Sequence, residues 1–321
     1  MPTYNDSEGL KTTVESLINQ DFSKTRYEVI IVDNNSKDNT SKVIKEYERD
    51  YEGLVVGLLQ DKIQSSYASR NEGIKHSKGE MLVFIDADMH VKEDFLSKVY
   101  NHYKSKNIYY AGCNVEIFGN KDTFLAIYCE KKNFLLSKTI KYDHYAPTCC
   151  LITNREIFDK VGLFKSNVIS GGDVEFGHRV HDNNYRLDYL EDVTIYHPAR
   201  DSLKSIFKKA IRQGRGYFTV IKLNKGKHAS LNMSSYIKAI MKNAKPFGRK
   251  NGESFEKKVK YKSRFHGLTE RIFSMVPNFF PEFIRDWDRM TFRLKTLFLL
   301  FDLVEKFFQF LGFQFERLKR M

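Results

Sequence analysis

Along the first two hundred positions, short runs that are apolar almost throughout alternate with longer segments carrying a single apolar stripe. Tyr27 to Val32, Leu54 to Leu59 and Met81 to Ile85 are the runs, and each reads as a strand buried on both faces of a sheet. Ser7 to Asn19 carries Leu10, Val14, Leu17 and Ile18 at helical spacing, with Ser7 as its N-cap. A second helix is expected to start from the turn cluster Asp33 to Thr40 and run through Tyr47, and a third to span Ser65 to Ser77. Further along, Val193 to Tyr196 reads as a strand, and Val174 to Asn183 and Ser202 to Leu223 read as helices. Strands alternating with helices predict an α/β chain on a doubly wound, mostly parallel sheet with flanking helices.

The third run closes with Asp86 and Asp88. In open α/β sheets the ligand crevice lies outside the carboxyl ends of the strands, so two acids one residue apart are well sited to hold a cation. Hard divalent ions take oxygen ligands, and Mg²⁺ commonly uses one or two carboxylates together with substrate phosphates. Acids also end strands to cap the next helix or to solvate a turn. The pair by itself leaves both readings open.

Composition narrows the partner. The chain of 321 residues is 41% hydrophobic and 14% aromatic, enough for one large domain or a domain with an appendage and too apolar for a disordered chain. Its 53 Lys and Arg against 40 Asp and Glu leave a net charge of +13, which points to nucleic acid, anionic lipid or a phosphorylated substrate. Cys113, Cys129, Cys149 and Cys150 lack metal-ligand spacing, and the adjacent pair disfavours a bridge. A reducing, cytoplasmic setting is the simpler expectation. No signal peptide opens the chain and no run of 18 uncharged apolar residues occurs, so no spanning helix is predicted.

Four motifs in order then carry a resemblance. Pro2-Thr-Tyr-Asn5, Ile30 to Thr40, Ser69-Arg-Asn-Glu-Gly-Ile74 and Phe84-Ile-Asp-Ala-Asp88 resemble the nucleotide-sugar-binding half of a family 2 glycosyltransferase of the GT-A fold. Downstream, Ala146 to Phe164 is similar to the family's acceptor-side strand, helix and Gly-x-Phe turn. Gly171 to Arg179 resembles its acidic catalytic segment, and Tyr196-His-Pro-Ala-Arg200 its terminal histidine motif. The resemblance covers residues 1 to 220. It departs from the family in two places. The strand that usually precedes Pro-x-Tyr-Asn is missing, so either the chain begins inside a longer one or another segment fills a central place in the sheet. Gly172-Asp173 stands where Glu-Asp is common.

The resemblance implies transfer of one sugar from a nucleoside-diphosphate sugar, a UDP-sugar in first place, to a glycan or lipid-linked acceptor in cell-envelope polysaccharide or glycolipid synthesis. It implies inversion, a divalent metal (Mn²⁺ or Mg²⁺), Asp173 as general base and Glu175 as its helix-borne neighbour. Asp88 contacts the ion most directly, Asp86 holds the donor ribose or a metal-bound water, and His197 supplies a nitrogen ligand or a proton. Arg70 and Arg200 pair with phosphate, Pro2 and Tyr4 line the donor site, and Asp33 pairs with the base. Each also has a plainer reading: Asp173 as N-cap of its helix, Asp33 as a turn residue, His197 as a hydrogen-bonded surface residue, the arginines as solvated charges. Processive members carry Gln-x-x-Arg-Trp, which Gln213-Gly-Arg-Gly-Tyr217 does not match, so single-sugar addition is expected.

Beyond residue 220 a basic connector is expected to 265 and a helical, amphipathic region from 266 to 321, with a helix from about Pro281 to Leu318. In its last part Asp302, Glu305, Lys306, Gln309 and Glu316 share one narrow stripe and apolar residues cover the rest. So wide an apolar face must be covered, by the catalytic domain, by another subunit, or by a membrane on which the helix lies in plane. A peripheral position at the inner face of the cell membrane is therefore an expectation. The rival of a different class is a basic nucleic-acid or anionic-surface binding protein retaining a non-catalytic nucleotide fold. No nucleic-acid-binding module is present in the sequence, so no nucleic acid is expected. A dinucleotide enzyme is disfavoured because no Gly-x-Gly-x-x-Gly follows an early strand.

Overall fold

The computed structural model describes residues 1–118, 123–132, 136–200, 202–223 and 290–319. The expected basic connector lies outside the described residues beyond Leu223, as does the C-terminal region up to residue 289. The first half of the chain gives β1 (Pro2–Thr3), α1 (Ser7–Ile18), β2 (Val29–Asp33), α2 (Thr40–Asp50), β3 (Val55–Leu59), α3 (Ser66–His76), β4 (Met81–Val83), β5 (His90–Val91), α4 (Phe95–Lys106) and β6 (Tyr110–Phe118). It continues through α5 (Phe124–Lys132), the single turn α6 (Leu136–Lys138), β7 (Leu151–Asn154), α7 (Arg155–Val161), α8 (Gly172–Asp182), β8 (Leu187–Pro198) and α9 (Leu203–Leu223). The last described helix is α10 (Phe292–Lys319).

Two sheets carry these strands. One is parallel, in the order β1-β2-β3, and the other runs β4-β7-β6-β8-β5. In the second only β6 and β8 are parallel; β7 lies antiparallel to both β4 and β6, and β5 antiparallel to β8. The expected mostly parallel arrangement thus holds in the first sheet and gives way to a mixed one in the second. An all-apolar run such as Met81 to Ile85 reports burial on both faces, not the direction of its neighbour.

Helix α1 is capped by Asp6, whose carboxylate accepts from Gly9 N at 3.0 Å, so Ser7 is its first helical residue and not the cap. The expected missing strand is reduced to Pro2 and Thr3, which pair with Val32 and Asp33. No described segment fills the rest of that place. A cavity of about 670 Å³ lies there, lined by Val29 and Ile30 on one side and by Met81 to Ile85 on the other. The main core packs α1, α2 and α4 against the sheets through residues such as Leu10, Val14, Ile31, Met89, Phe95 and Ile195.

Helices α9 and α10 pack at backbone contact. A Cβ on Gly214 would stand 1.8 Å from Gln309 O, and one on Gly312 would stand 2.1 Å from Ile211 O. A Cβ on Gly216 would meet Ser170 O at 2.4 Å, which sets α9 against the loop before α8. Gly214→Val is accordingly expected to force the helices apart and cost about 1–3 kcal/mol. A Tm unchanged from wild type in calorimetry would show that the helix pair does not contribute to the folded state.

The orientation of α10 corrects the expectation from its sequence. The polar stripe is the covered side: Asp302, Glu305 and Glu316 are buried, while much of the apolar remainder faces outward. Tyr128 Oη donates to Glu305 Oε2 at 2.7 Å, Arg215 Nε to Glu316 Oε2 at 3.1 Å, and Gln309 Nε2 to Gln213 Oε1 at 3.2 Å. Polar partners on α5 and α9 hold that stripe inward, which a helix read alone cannot reveal. No helix among the described residues is long and apolar enough to cross a membrane.

Candidate active site

The loop from β4 to β5 presents the acids. Ile85, Ala87 and Met89 alternate into the core and are buried, which leaves Asp86 and Asp88 on the opposite side, in a cleft of about 590 Å³. Thr13 on α1 pins the loop through both backbone groups of Met89: Met89 N donates to Thr13 Oγ1 at 3.0 Å, and that hydroxyl donates to Met89 O at 2.6 Å. Burial pushes the Asp88 carboxyl up, His197 draws it down by less, and Asp86 and Asp6 push it further up. Asp86 instead receives an ion pair from Arg70 Nη2. Arg70 is buried on α3, its Nε has no hydrogen-bond partner among the described residues, and its guanidinium lies 5.6 Å from the Tyr67 ring centre.

Opposite elements complete the cleft. Pro2 and Tyr4 reach it from the end of β1, Asp173 from the first turn of α8, and His197 and Arg200 from β8 and the turn beyond it. His197 lies within β8, opposite Ile117, rather than just past a strand end, and its Nδ1 is 2.7 Å from Pro198 O. The N-cap of α8 is Gly171 at φ +79°, a left-handed position that suits glycine, so Asp173 is not the cap. Its Oδ1 accepts from Val174 N at 3.0 Å and from Tyr67 Oη at 3.3 Å. Burial raises the Asp173 carboxyl above the usual carboxylate range, against the opposing pull of these hydrogen bonds and of Arg70.

Two of the expected residues lie outside the cleft lining. Asp33 ends β2 as a buried residue whose carboxylate accepts from Ser36 N at 2.9 Å and from the Ser41 hydroxyl, the turn role weighed for it in the sequence; its neighbour Asn34 reaches the cleft. Glu175, two positions past Asp173 on α8, is buried in a two-pronged pair with Arg179 at 2.8 and 2.9 Å. Arg179 in turn donates to the carbonyls of Val161, Gly162 and Leu163, so this pair ties α8 to the end of α7. Two residues on a helix are 200° apart, and a base facing the cleft turns that neighbour into the protein.

The cleft also contains residues that the motifs did not single out. Lys209, Gln213, Tyr217 and Val220 line it from one face of α9, with Arg212 beside them. Their three- and four-residue spacing was available in the sequence, but the basic pattern of the helix hid which face mattered. Burial and Arg200 hold the Lys209 ammonium below its ordinary value. Tyr67 was the other omission. Its ring packs where a Cβ on Gly172 would approach to 2.8 Å, which sets the phenol beside Asp173. Tyr67→Phe is expected to move the acid limb of the pH–rate profile to higher pH, because a carboxylate loses a donor that favours its charged form. An unmoved limb with a lowered rate would reduce Tyr67 to packing alone.

For a divalent ion the site offers oxygen from Asp88 and nitrogen from His197, with Asp86 next to them but engaged by Arg70. Among the described residues no three acidic, histidine or cysteine side chains gather closely enough to hold an ion by themselves. That donor set fits an ion completed by substrate phosphates, the habit of Mg²⁺ in nucleotide sites, and not a closed structural site.

The model of glycosyl transferase family 2 matches residues 1–162. Glycosyltransferase AglE of Haloferax volcanii is 32% identical over 226 residues, covering 70% of this chain and 74% of its own. The chain belongs to glycosyl transferase family 2. It is a glycosyltransferase of GT-A architecture with a cleft at the strand ends. A second relative of this family 2 chain is the dolichyl N-acetyl-α-D-glucosaminyl phosphate 3-β-D-2,3-diacetamido-2,3-dideoxy-β-D-glucuronosyltransferase of Methanococcus voltae, 26% identical over 69% of this chain and 75% of its own. Among solved structures, the mannosyltransferase PcManGT of Pyrobaculum calidifontis, in complex with GDP-Man and Mn²⁺, shares the fold with a TM-score of 0.57 at 14% identity over 95% of this chain and 85% of its own.

Proposed function

We propose that this family 2 enzyme transfers one sugar from a nucleoside-diphosphate sugar to a hydroxyl of a glycan or lipid-linked acceptor, with inversion and a divalent metal, in cell-envelope polysaccharide or glycolipid synthesis. The observation that carries the reading is one cleft lined by a half-buried carboxylate raised by desolvation, Asp173, together with Asp88, His197 and the cations Arg200, Lys209 and Arg212. Asp173 accepts the proton of the acceptor hydroxyl, whose oxygen attacks the anomeric carbon while the bond to the diphosphate oxygen breaks on the far side. Inversion follows from a single displacement. Asp88 and His197 would hold the ion, with Asp86 beside them, and the ion when bound would supply Lewis-acid neutralisation of the leaving diphosphate. Arg200, Lys209 and Arg212 add positive charge to the same group. Arg70 keeps Asp86 in place, Pro2 and Tyr4 wall the donor, and Asn34 meets the base from a turn that Asp33 holds.

A UDP-sugar is the first donor to test, and the GDP-sugar bound by the Pyrobaculum enzyme the second. A lipid-linked acceptor is supported by the dolichyl phosphate in the name of the Methanococcus relative. With it goes a cytoplasmic enzyme in peripheral contact with the membrane through its C-terminal helix. Titration calorimetry of nucleoside diphosphates and their sugars, with and without Mn²⁺, tests the donor site. Metal-dependent binding of one nucleotide is expected. No binding to any of them by a folded sample would move the non-catalytic binding protein ahead.

A further inference from the structure

Helix α10 is turned inside out for a helix in water. Its three carboxylates, Asp302, Glu305 and Glu316, are buried against α5 and α9. The opposite side carries Leu300, Phe307, Leu311 and Leu318 at exposures from 41% to 68%, flanked by Phe310 and Phe315. At 100° per residue these six span a stripe roughly 140° wide, broader than the two-position seam of a coiled-coil pair. Charge follows the same division. Helix α9 has no acidic residue, and the exposed charges of the helix pair are cations, among them Lys204, Lys208, Lys222, Arg293, Arg317 and Lys319.

We propose that the outer face of α10 is a bilayer-docking surface, lying in the plane of an anionic lipid membrane with its apolar side chains among the acyl chains and the neighbouring cations at the headgroups. An apolar stripe with no outward carboxylate and a basic surround matches anionic lipid in polarity and in sign. A second copy would bring two sets of cations together, and water would leave the stripe exposed. The surface deepens the membrane contact of the function proposed above and rests on it. Helix α9 joins the two sites: Gly214 lies at backbone contact with α10, Lys209 and Tyr217 wall the cleft, and Gln213 does both, lining the cleft and accepting from Gln309 of α10 at 3.2 Å. The reaction centre therefore sits one helix away from the lipid, within reach of the head of a lipid-linked acceptor.

The test is flotation of the full chain with phosphatidylcholine vesicles, with and without phosphatidylglycerol, alongside a Leu300→Ser, Phe307→Ser, Leu311→Ser variant. The chain is expected to float with the anionic vesicles and to bind them roughly tenfold less well without phosphatidylglycerol or at high salt. The triple variant, altered only on the outward face, is expected to lose flotation by about tenfold or more and to keep its nucleotide binding. Wild-type protein left in the dense fraction with anionic vesicles overturns the surface. So does a dimer in sedimentation velocity that the triple variant turns into monomer. Flotation needs no substrate, so failed transfer with intact flotation removes the enzymatic reading alone, and intact transfer without flotation removes the surface alone.

Discussion

Asp173→Asn is expected to lower kcat/KM by about 10²–10⁴, the range of a positioned general base, and to leave donor-nucleotide affinity unchanged. The substitution keeps the shape of the side chain. Its amide oxygen can still accept from Val174 N and from the Tyr67 hydroxyl, so α8 and the loop at Gly171 have no reason to move. What disappears is the only proton acceptor at that position. The wild-type profile supplies a second readout. A base works when deprotonated, and burial raises this carboxyl, so activity should fall with acid from a pH above that of an ordinary carboxylate. In the variant that limb should vanish. Near-wild-type turnover in Asp173→Asn would place the base elsewhere in the cleft.

The second large effect is expected at the metal. Asp88→Asn should weaken metal-dependent donor binding by about 10²-fold, since a neutral amide is a poor ligand for a hard divalent ion. Binding measured without metal should change little, and chelation of the wild-type enzyme should reproduce the variant. The charge balance explains why Asp88 is more exacting than its neighbour. Asp86 is already neutralised by Arg70, whereas Asp88 is half-buried, with His197 and Arg200 drawing it down and burial and two carboxylates pushing it up. Such a carboxylate is relieved when a cation arrives. Equal metal dependence in wild type and variant would remove Asp88 as a ligand and with it the role proposed for His197.

The two variants also separate the two halves of the cleft. Asp173→Asn should bind donor and fail to transfer it, while Asp88→Asn should fail at the donor itself. Tyr67→Phe lies between them, acting through the base and not on the donor.

Much of the site was legible because its residues sit at element ends, where short-range signals are strongest. The run Met81 to Ile85 followed by Asp86 and Asp88 placed two acids at a strand terminus without any knowledge of its neighbours. Asp173, after two glycines, was legible as the start of a helix to within two residues of its observed beginning. Glu175 was not separable from it, since both are acids in one helical turn and only the position of Arg179 and the α7 carbonyls decides which way that turn faces. Tyr67 was invisible for a related reason. Its partner Asp173 is 106 positions away, and nothing local marks the contact.

Periodicity and strand-end chemistry, which are properties of neighbouring residues, determined the α/β alternation, most element positions and the placing of Asp86 and Asp88 at a strand end. The tertiary structure alone decided the partners: β7 antiparallel beside β4, α9 as a wall of the active site, and the face of α10 that turns inward. An amphipathic pattern states that two faces differ. Which of them is covered depends on what the rest of the chain brings against it, and here Tyr128 and Arg215, 177 and 101 residues from the acids they bind, brought hydrogen-bond donors rather than an apolar surface.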